Sequence, residues 1–542
     1  MVSEGTSRIT PSVTSPWRPL RTPLFRNLLL ADVVSDMGTF MQTVGAAWVI
    51  VSLGAGPMYV ALTQTASALP FFVFALPAGA IGDIVDRRRL ILFTEIWMLA
   101  VASIIAIATI AGFMTPWLLL GLTFALSAGD AIETPTWRAV LPELVEKEDL
   151  AAASALNGIE FNFARAVGPA LAGLVIAAAG VGAAFTLNAI SFIGVLVIVA
   201  RWKRPAKRRT TPPETVVGAM IAALRYVRYA RSLRGIMLRS GTTMFFASAI
   251  LALMPSVARA VSASPTAYGV LLGCFGAGAV LGATVMPAAR ARWSTETVAS
   301  AGVVLLGAAT IGISSSHRML MLVPIVLIAG AAWIVFISIV NALMQLLAPD
   351  WVRARVLAVF ILVFQGSLAA GSAMWGSIAT RAGIHVALLA AGVGIILSAV
   401  LGRAAPLPDA AADASPWNHW RMPVIAGDTQ LEPDAGPVLV TSEYTVAPES
   451  ASAFFEAMVD YARLRRRDGA YRWGLFKDVE KQDTYVETFL VSSWAEHLRQ
   501  HERATQADRD VEGRMLAHVS GERTVRHFVS TDGLGATDVT TV

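Results

Sequence analysis

From residue 27 to about residue 402 the chain consists of long apolar runs separated by short polar interruptions. A helix needs roughly 20 apolar residues to cross the hydrocarbon core of a bilayer. Twelve runs qualify, near 27–53, 58–82, 90–111, 117–137, 152–179 and 183–200, then 235–258, 265–289, 296–315, 319–347, 352–379 and 384–402. Each predicts a spanning helix. The polar connection 201–234 divides them into two bundles, 27–200 and 235–403. Residues 1–26 form a polar N-terminal tail, and the run after them is too long for a signal-peptide core, so it reads as a retained first span.

After residue 403 the pattern changes. Residues 404–436 are rich in Pro, Ala and Asp, as a linker is. Within 437–530, VLVTSEYTV alternates like a strand. PESASAFFEAMVDYARLRRR reads as a helix, with Pro448 in the first turn and Phe454, Phe455, Met458 and Ala462 on one face. YRWGLFKD and TYVETFLV alternate again. SSWAEHLRQHERATQADRDVEGRMLAHV predicts one long helix opened by a capping box of Ser493 and Glu496. RTVRHFV reads as a last strand, and 531–542 as a flexible end. The order β-α-β-β-α-β predicts a small domain of split-βαβ type. The fold class expected is therefore an all-α membrane protein, with twelve transmembrane helices in two six-helix bundles, plus a C-terminal soluble α+β ferredoxin-like domain.

Composition agrees. Of 542 residues, 55% are hydrophobic and 15% charged, against about 25% charged in soluble domains. The single cysteine, Cys274, allows no intramolecular disulfide and reads as a small buried hydrophobe. The placement of charge is informative. Turns near 54–57, 112–116 and 180–183 carry no Lys or Arg, and the others on that side carry one each, Arg259, Arg318 and Arg381. The alternate set is basic, with Arg87, Arg88 and Arg89, then Arg138 and Lys147, Arg290 and Arg292, Arg353 and Arg355, and ten Lys or Arg in 201–234. Basic loops stay in the cytoplasm, so both termini are expected there. For the same reason the basic connection reads as topology, and no nucleic-acid partner is expected. A G-x-x-x-x-G-K-[ST] motif is missing, which excludes an ATP-driven pump of that type.

The turn after the second run reads GAIGDIVDRRR (79–89), and the end of the eighth run reads GAVLGATVMPAARAR (278–292). The likeness points to two related halves, as in many transporters. With TPTWRAVLPELV (134–145), LNGIEFNFARAVGPALAG (156–173), AFTLNAISF (184–192) and APDWVRARVLAVF (348–360), residues 20–400 resemble the major facilitator superfamily, in its enterobactin-exporter-like branch. Its signature is approximately G-x-x-x-D-[RK]-x-G-[RK]-[RK]-x-[RK]. Gly79 and Asp83 match, Arg87–Arg89 supply the basic end, and Ile84 and Asp86 depart from it. The tail resembles the dimeric α+β barrel proteins, which include antibiotic-biosynthesis monooxygenases, and is expected to serve dimerisation or regulation without being an enzyme.

The resemblance implies an inner gate in which Asp83 meets the start of the eleventh span near Val352, and Arg138. Arg87 and Arg88 belong to the same motif, although plain anchoring of the loop in the cytoplasm is the favoured reading of Arg87–Arg89. The ionisable residues within the runs are Asp32 and Asp36, Asp130 and Glu133, and Glu160 and Arg165. Charge at bilayer depth faces a cavity or a partner. Asp36, Asp130, Glu133 and Glu160 are expected to handle protons. Alternatively, Arg165 forms a fixed pair with Asp130 or Glu133. Gln64, Asn162, Arg239, Asn341, Gln345 and Gln365 are expected at the substrate cavity, or in bonds between helices. Gly168, Pro169 and Gly173 form a helix-bending or close-packing motif. His497 and His501, at metal-binding spacing, have no evident third ligand and are expected as solvated surface histidines, so no metal site is predicted.

The expectation is a secondary exporter of a small amphiphilic compound (a drug, siderophore or secondary metabolite) in a bacterial inner membrane. The proton gradient is its energy source and no cofactor is needed. Its partners would be the substrate, the bilayer and a second copy joined through the tail. Import or lipid transport by the same fold, and a membrane-anchored enzyme or sensor acting through the tail, are the alternatives.

Overall fold

The computed structural model describes residues 17–202, 216–262, 264–349, 351–400, 402, 406–408, 417 and 432–530. Six long helices make the first half: α1 (Pro23–Ser52), α2 (Pro57–Ile84), α3 (Arg87–Ile110), α4 (Pro116–Leu144), α5 (Leu150–Ala179) and α6 (Val181–Arg201). Between the halves lies α7 (Val216–Tyr229), a short amphipathic helix inside the stretch that the sequence presented as a basic connection. Six more helices make the second half: α8 (Arg231–Val261), α9 (Pro265–Arg290), α10 (Thr295–Ser315), α11 (Met319–Leu347), α12 (Arg353–Ala382) and α13 (Ile384–Ser398).

Among the described residues, eight helices are long and apolar enough to cross a membrane, all outside α1, α2, α4 and α13. The exceptions α1 and α4 are helices that carry polar and acidic residues in their middle, and α13 has 15 residues.

Helix starts follow local chemistry. Proline occupies the first turn of α1, α4 and α9, where its missing N–H costs nothing. Thr115 and Ser294 cap α4 and α10, and the Asp86 carboxylate accepts the Arg89 N–H at 3.0 Å to cap α3. Gly54, Gly112, Gly180 and Gly383 take positive φ of 71° to 91° at helix-to-helix turns. Asp86, where the signature has glycine, thus serves as the cap of α3.

The halves meet where α2 lies along α12 and α5 along α9. The Met58 N–H donates to Thr380 Oγ1 at 3.1 Å, and Thr65 Oγ1 donates to the Ala369 carbonyl at 3.0 Å. A Cβ on Gly269 would come 2.6 Å from the Pro169 carbonyl oxygen, and one on Gly173 3.2 Å from Thr266 Cα. The motif of Gly173 and Pro169 therefore brings two backbones together, while Gly168 seats against Phe40 and Met37 of α1. Through Pro169, α5 runs as one helix.

The tail is built from β1 (Val438–Thr445), α14 (Ala451–Asp468), β2 (Arg472–Lys477), β3 (Thr484–Val491), α15 (Trp494–Arg503), α16 (Gln506–Leu516) and β4 (Ser520–Val529). Its sheet has the order β2-β3-β1-β4 with every pair antiparallel; Val440 stands opposite Phe489 on one side and His527 on the other. Tyr444, Phe454, Met458 and Tyr461 fill the space beneath it. The long helix expected over 492–519 is two helices. Thr505 stops α15 because its N–H and hydroxyl both bond the Asp508 carboxylate, at 2.9 and 2.8 Å, in a capping box that starts α16. At the front of α15 Ser493 accepts the Glu496 N–H, but the Glu496 side chain turns to Arg225 and Arg503 and leaves that box half-made.

Candidate functional site

The first half gathers acidic side chains in its interior. Asp32 and Asp36 come from α1, Glu95 from α3, Asp130 and Glu133 from α4, and Glu160 from α5. Glu95, Glu133 and Glu160 are 3%, 8% and 9% exposed. Thr94 ties α3 to α4, its hydroxyl reaching Glu133 Oε2 at 2.5 Å. Beside it, Glu95 lies close to Glu133. Asp36 lies within reach of Glu160, and Thr134 Oγ1 donates to Asp130 at 3.1 Å. Oε2 of Glu95 and Oε1 of Glu160 are buried without a hydrogen-bond partner. Arg165 brings positive charge towards Asp36, with its guanidinium 4.7 Å from the centre of the Phe161 ring.

The structure thus brings Asp36, Asp130, Glu133, Glu160 and Arg165 together and adds Glu95, which the sequence reading does not single out. Its signal is present in the chain: Glu95 stands alone in LILFTEIWMLA, the same pattern that marks Asp130.

The other sequence-selected residues are dispersed. Asn162 and Asn341 donate to carbonyls of their own helices, Gly158 at 2.7 Å and Ile337 at 3.1 Å. Gln64 and Gln365 are half-buried on α2 and α12, and Gln345 is exposed. Arg239 is 1% exposed and bonded to Glu296 at 2.5 Å and Ser300 at 2.7 Å, so its charge is committed to α10 rather than free for a cavity. Arg87 bonds the Ala139 carbonyl and Glu143, and Arg88 bonds the carbonyls of Val199 and Ala200. Both arginines hold helix ends within the first half. Arg138 is exposed, Gly79 lies on α2, and the side chain of Asp83 lies outside the described residues.

In the tail, His497 is 3% exposed rather than solvated. Its ring centre lies 4.7 Å from that of His527 on β4 and 5.0 Å from that of His501. Burial first, then His527 and His501, push its pKa down to about 3. Among the described residues, no three His, Cys, Asp or Glu side chains are arranged to hold a metal ion.

Two halves of six helices, with acidic side chains gathered in the interior of one of them, define a transporter of the major facilitator type. The chain belongs to the transmembrane secretion effector family, whose profile matches residues 14–533 and so takes in the tail. Its relatives are multi-pass membrane transporters, not enzymes. The multidrug efflux pump Tap of Mycolicibacterium fortuitum is 25% identical over 391 residues, 69% of this chain and 93% of that protein. The staphyloferrin A transporter of Staphylococcus aureus is 27% identical over 164 residues, 30% of this chain and 41% of that one. The macrolide efflux protein A of Enterococcus faecalis is 23% identical over 191 residues, 35% and 59% of the two. Among solved structures, a bacterial homologue of the human lysosomal transporter Spinster, inward-facing and occupied, superposes with TM-score 0.58 at 12% identity, covering 72% of this chain and 97% of that one. The nucleoside transporter NupG superposes with TM-score 0.52 at 13% identity, covering 70% and 98%.

Proposed function

We propose that this protein is a proton-coupled exporter of a small amphiphilic organic molecule. It works by alternating access between two six-helix halves that together cross a bacterial inner membrane twelve times, with both termini in the cytoplasm. The observation that carries this reading is the gathering of buried carboxyls in the first half, with Oε2 of Glu95 and Oε1 of Glu160 left without a hydrogen-bond partner. A carboxylate can only accept hydrogen bonds, so carboxyls held side by side away from water are a place where a proton can be kept between them. A group that exchanges such a proton with one side and then the other couples transport to the gradient. Export is supported by the efflux relatives.

No cofactor beyond the gradient is required. The tail presents an open sheet face on which Phe476 and Phe528 are 60% and 48% exposed, a surface suited to a second copy. The test has two stages. Cells with and without the protein are screened for compound sensitivity, and a compound so found is offered to inverted vesicles with and without a pH gradient. Accumulation that depends on the gradient is expected. Accumulation that ignores it would remove proton coupling.

A further inference from the structure

The tail reaches the transporter through α7 and Trp351. Arg225 of α7 pairs with Glu496 of α15 at 2.8 Å. The guanidinium of Arg467, on α14, lies 5.0 Å from the centre of the Tyr226 ring, and that of Arg503, on α15, lies 4.4 Å from the centre of the Trp351 ring. The two aromatic rings meet edge to face at 5.6 Å. A cation set over a desolvated aromatic face is attracted by the negative face of the ring. Both cations are held in place by the tail itself. Arg503 bonds Glu496 and the Asp468 carbonyl, and Arg467 bonds Asp468 and Asp508. The tail therefore presents fixed guanidinium faces, not free surface arginines.

The position of Trp351 gives this docking a consequence. It lies directly before Val352, the N-cap of α12. Farther along, α12 joins the two halves, with Gly366 against Phe72, Ala369 bonded to Thr65, and Thr380 bonded to Met58. The tail and α7 thus grip the start of the helix whose movement against α2 is what alternating access requires.

We propose that the tail domain is a latch on α12. Docked on α7 and Trp351, it holds the transporter in the arrangement seen here, and undocking lets α12 move to the alternative arrangement. This rests on the alternating-access reading given above. A latch of this kind is a coupling between two sites. Whatever draws the tail away from α7 shifts the balance of the two transport states by the free energy with which docking favours one of them.

The test uses the full chain in liposomes, with Cys274 replaced by serine and spin labels on cysteines at Ser154, in the first half, and Trp293, in the second. Both positions are exposed. The distance distribution between them is measured in the parent and in Arg225→Glu, Tyr226→Ala and Trp351→Ala, which all leave the tail sequence intact. Hydrogen exchange at α15 reports undocking in the same samples. We expect α15 to exchange faster and the ratio of the two distance populations to change about five-fold or more. Trp351→Phe, which keeps an aromatic face, should behave as the parent. Faster exchange at α15 with an unchanged distance distribution would overturn the latch, as would unchanged exchange in all three variants. The readout needs neither substrate nor gradient, so loss of the proton-coupling reading would leave it standing.

Discussion

The two six-helix halves share an architecture but treat buried charge in opposite ways. In the second half Arg239 and Glu296 neutralise each other, with Ser300 bonded to both and the Leu407 N–H donating to Glu296. In the first half Asp32, Asp36, Glu95, Asp130, Glu133 and Glu160 lie among one another, and the Arg165 guanidinium faces Asp36. A neutralised pair holds helices together and has no reason to change state. A surplus of buried acid is costly to keep, and it persists where protons or cations come and go. Under the proposed proton coupling, ion handling falls to the first half and scaffolding to the second.

The sharpest break of that comparison is a pair of neutral substitutions. Glu133→Gln and Glu95→Gln keep shape and burial but remove a proton site. Each should lower the initial rate of gradient-driven transport about ten-fold or more, the equivalent of about 1.4 kcal/mol. Exchange of substrate down its own gradient should survive. If both variants retain full gradient-driven transport, the cluster has no part in coupling.

The second half should respond in stability instead. Glu296→Leu strands Arg239, which is 1% exposed, and breaking a buried pair in this way costs about 3–5 kcal/mol. Arg239→Leu should cost less, because Glu296 keeps 28% exposure and can be rehydrated. Replacing both with leucine should recover most of the loss. Thermal melting in detergent orders the three variants, and a double variant as unstable as Glu296→Leu would contradict this account.

What the sequence revealed follows from the range of the interactions involved. Helix runs and strand alternation are local patterns, so the helices of both halves and the order β-α-β-β-α-β could be read directly. The partnership of Arg239 with Glu296 joins residues 57 apart and has no local mark. His497 on α15 packs against His527, which arrives from the strand β4. Two misses were legible. Thr505 followed by Asp508 is a capping signature inside HERATQADR, hidden because the residues around it all tolerate helix. The α7 sequence VVGAMIAALRYVRY carries helical periodicity, overshadowed by the arginines around it.

Packing sharpens the comparison at a smaller scale. A Cβ on Gly278 of α9 would overlap the Leu327 carbonyl of α11, and one on Gly330 of α11 would overlap the Phe275 carbonyl of α9. Alanine at either position forces two backbones apart and should cost about 1–3 kcal/mol. In the first half, a Cβ on Gly158 meets nothing within 4 Å. Gly158→Ala should therefore stabilise α5 by about 0.5–1 kcal/mol, through the lower helix propensity of glycine. Paired melting curves decide the matter, and equal effects at Gly278 and Gly158 would mean that α9 and α11 do not touch through their backbones.

The tail offers a control in which a buried ionisable group lies outside the apolar helices. His497 is held neutral by burial and by His527 and His501, with Arg465 adding to the same effect, and its pKa falls to about 3. An unfolded histidine titrates near 6.5. The unfolded tail therefore binds a proton that the folded tail refuses. The contribution to stability is fully present above about pH 6.5 and is lost as pH falls towards 3. Between pH 6 and pH 5 the loss should be about 1 kcal/mol. His497→Leu should remove that slope. Hydrogen exchange of the β4 amides in the full chain, followed across this pH unit, measures the difference between the two proteins. A slope that survives in His497→Leu would move the titration to another group. A slope lost from β4, with gradient-driven transport unchanged, would separate the histidines of the tail from the carboxyls of the first half as two independent proton-sensitive regions.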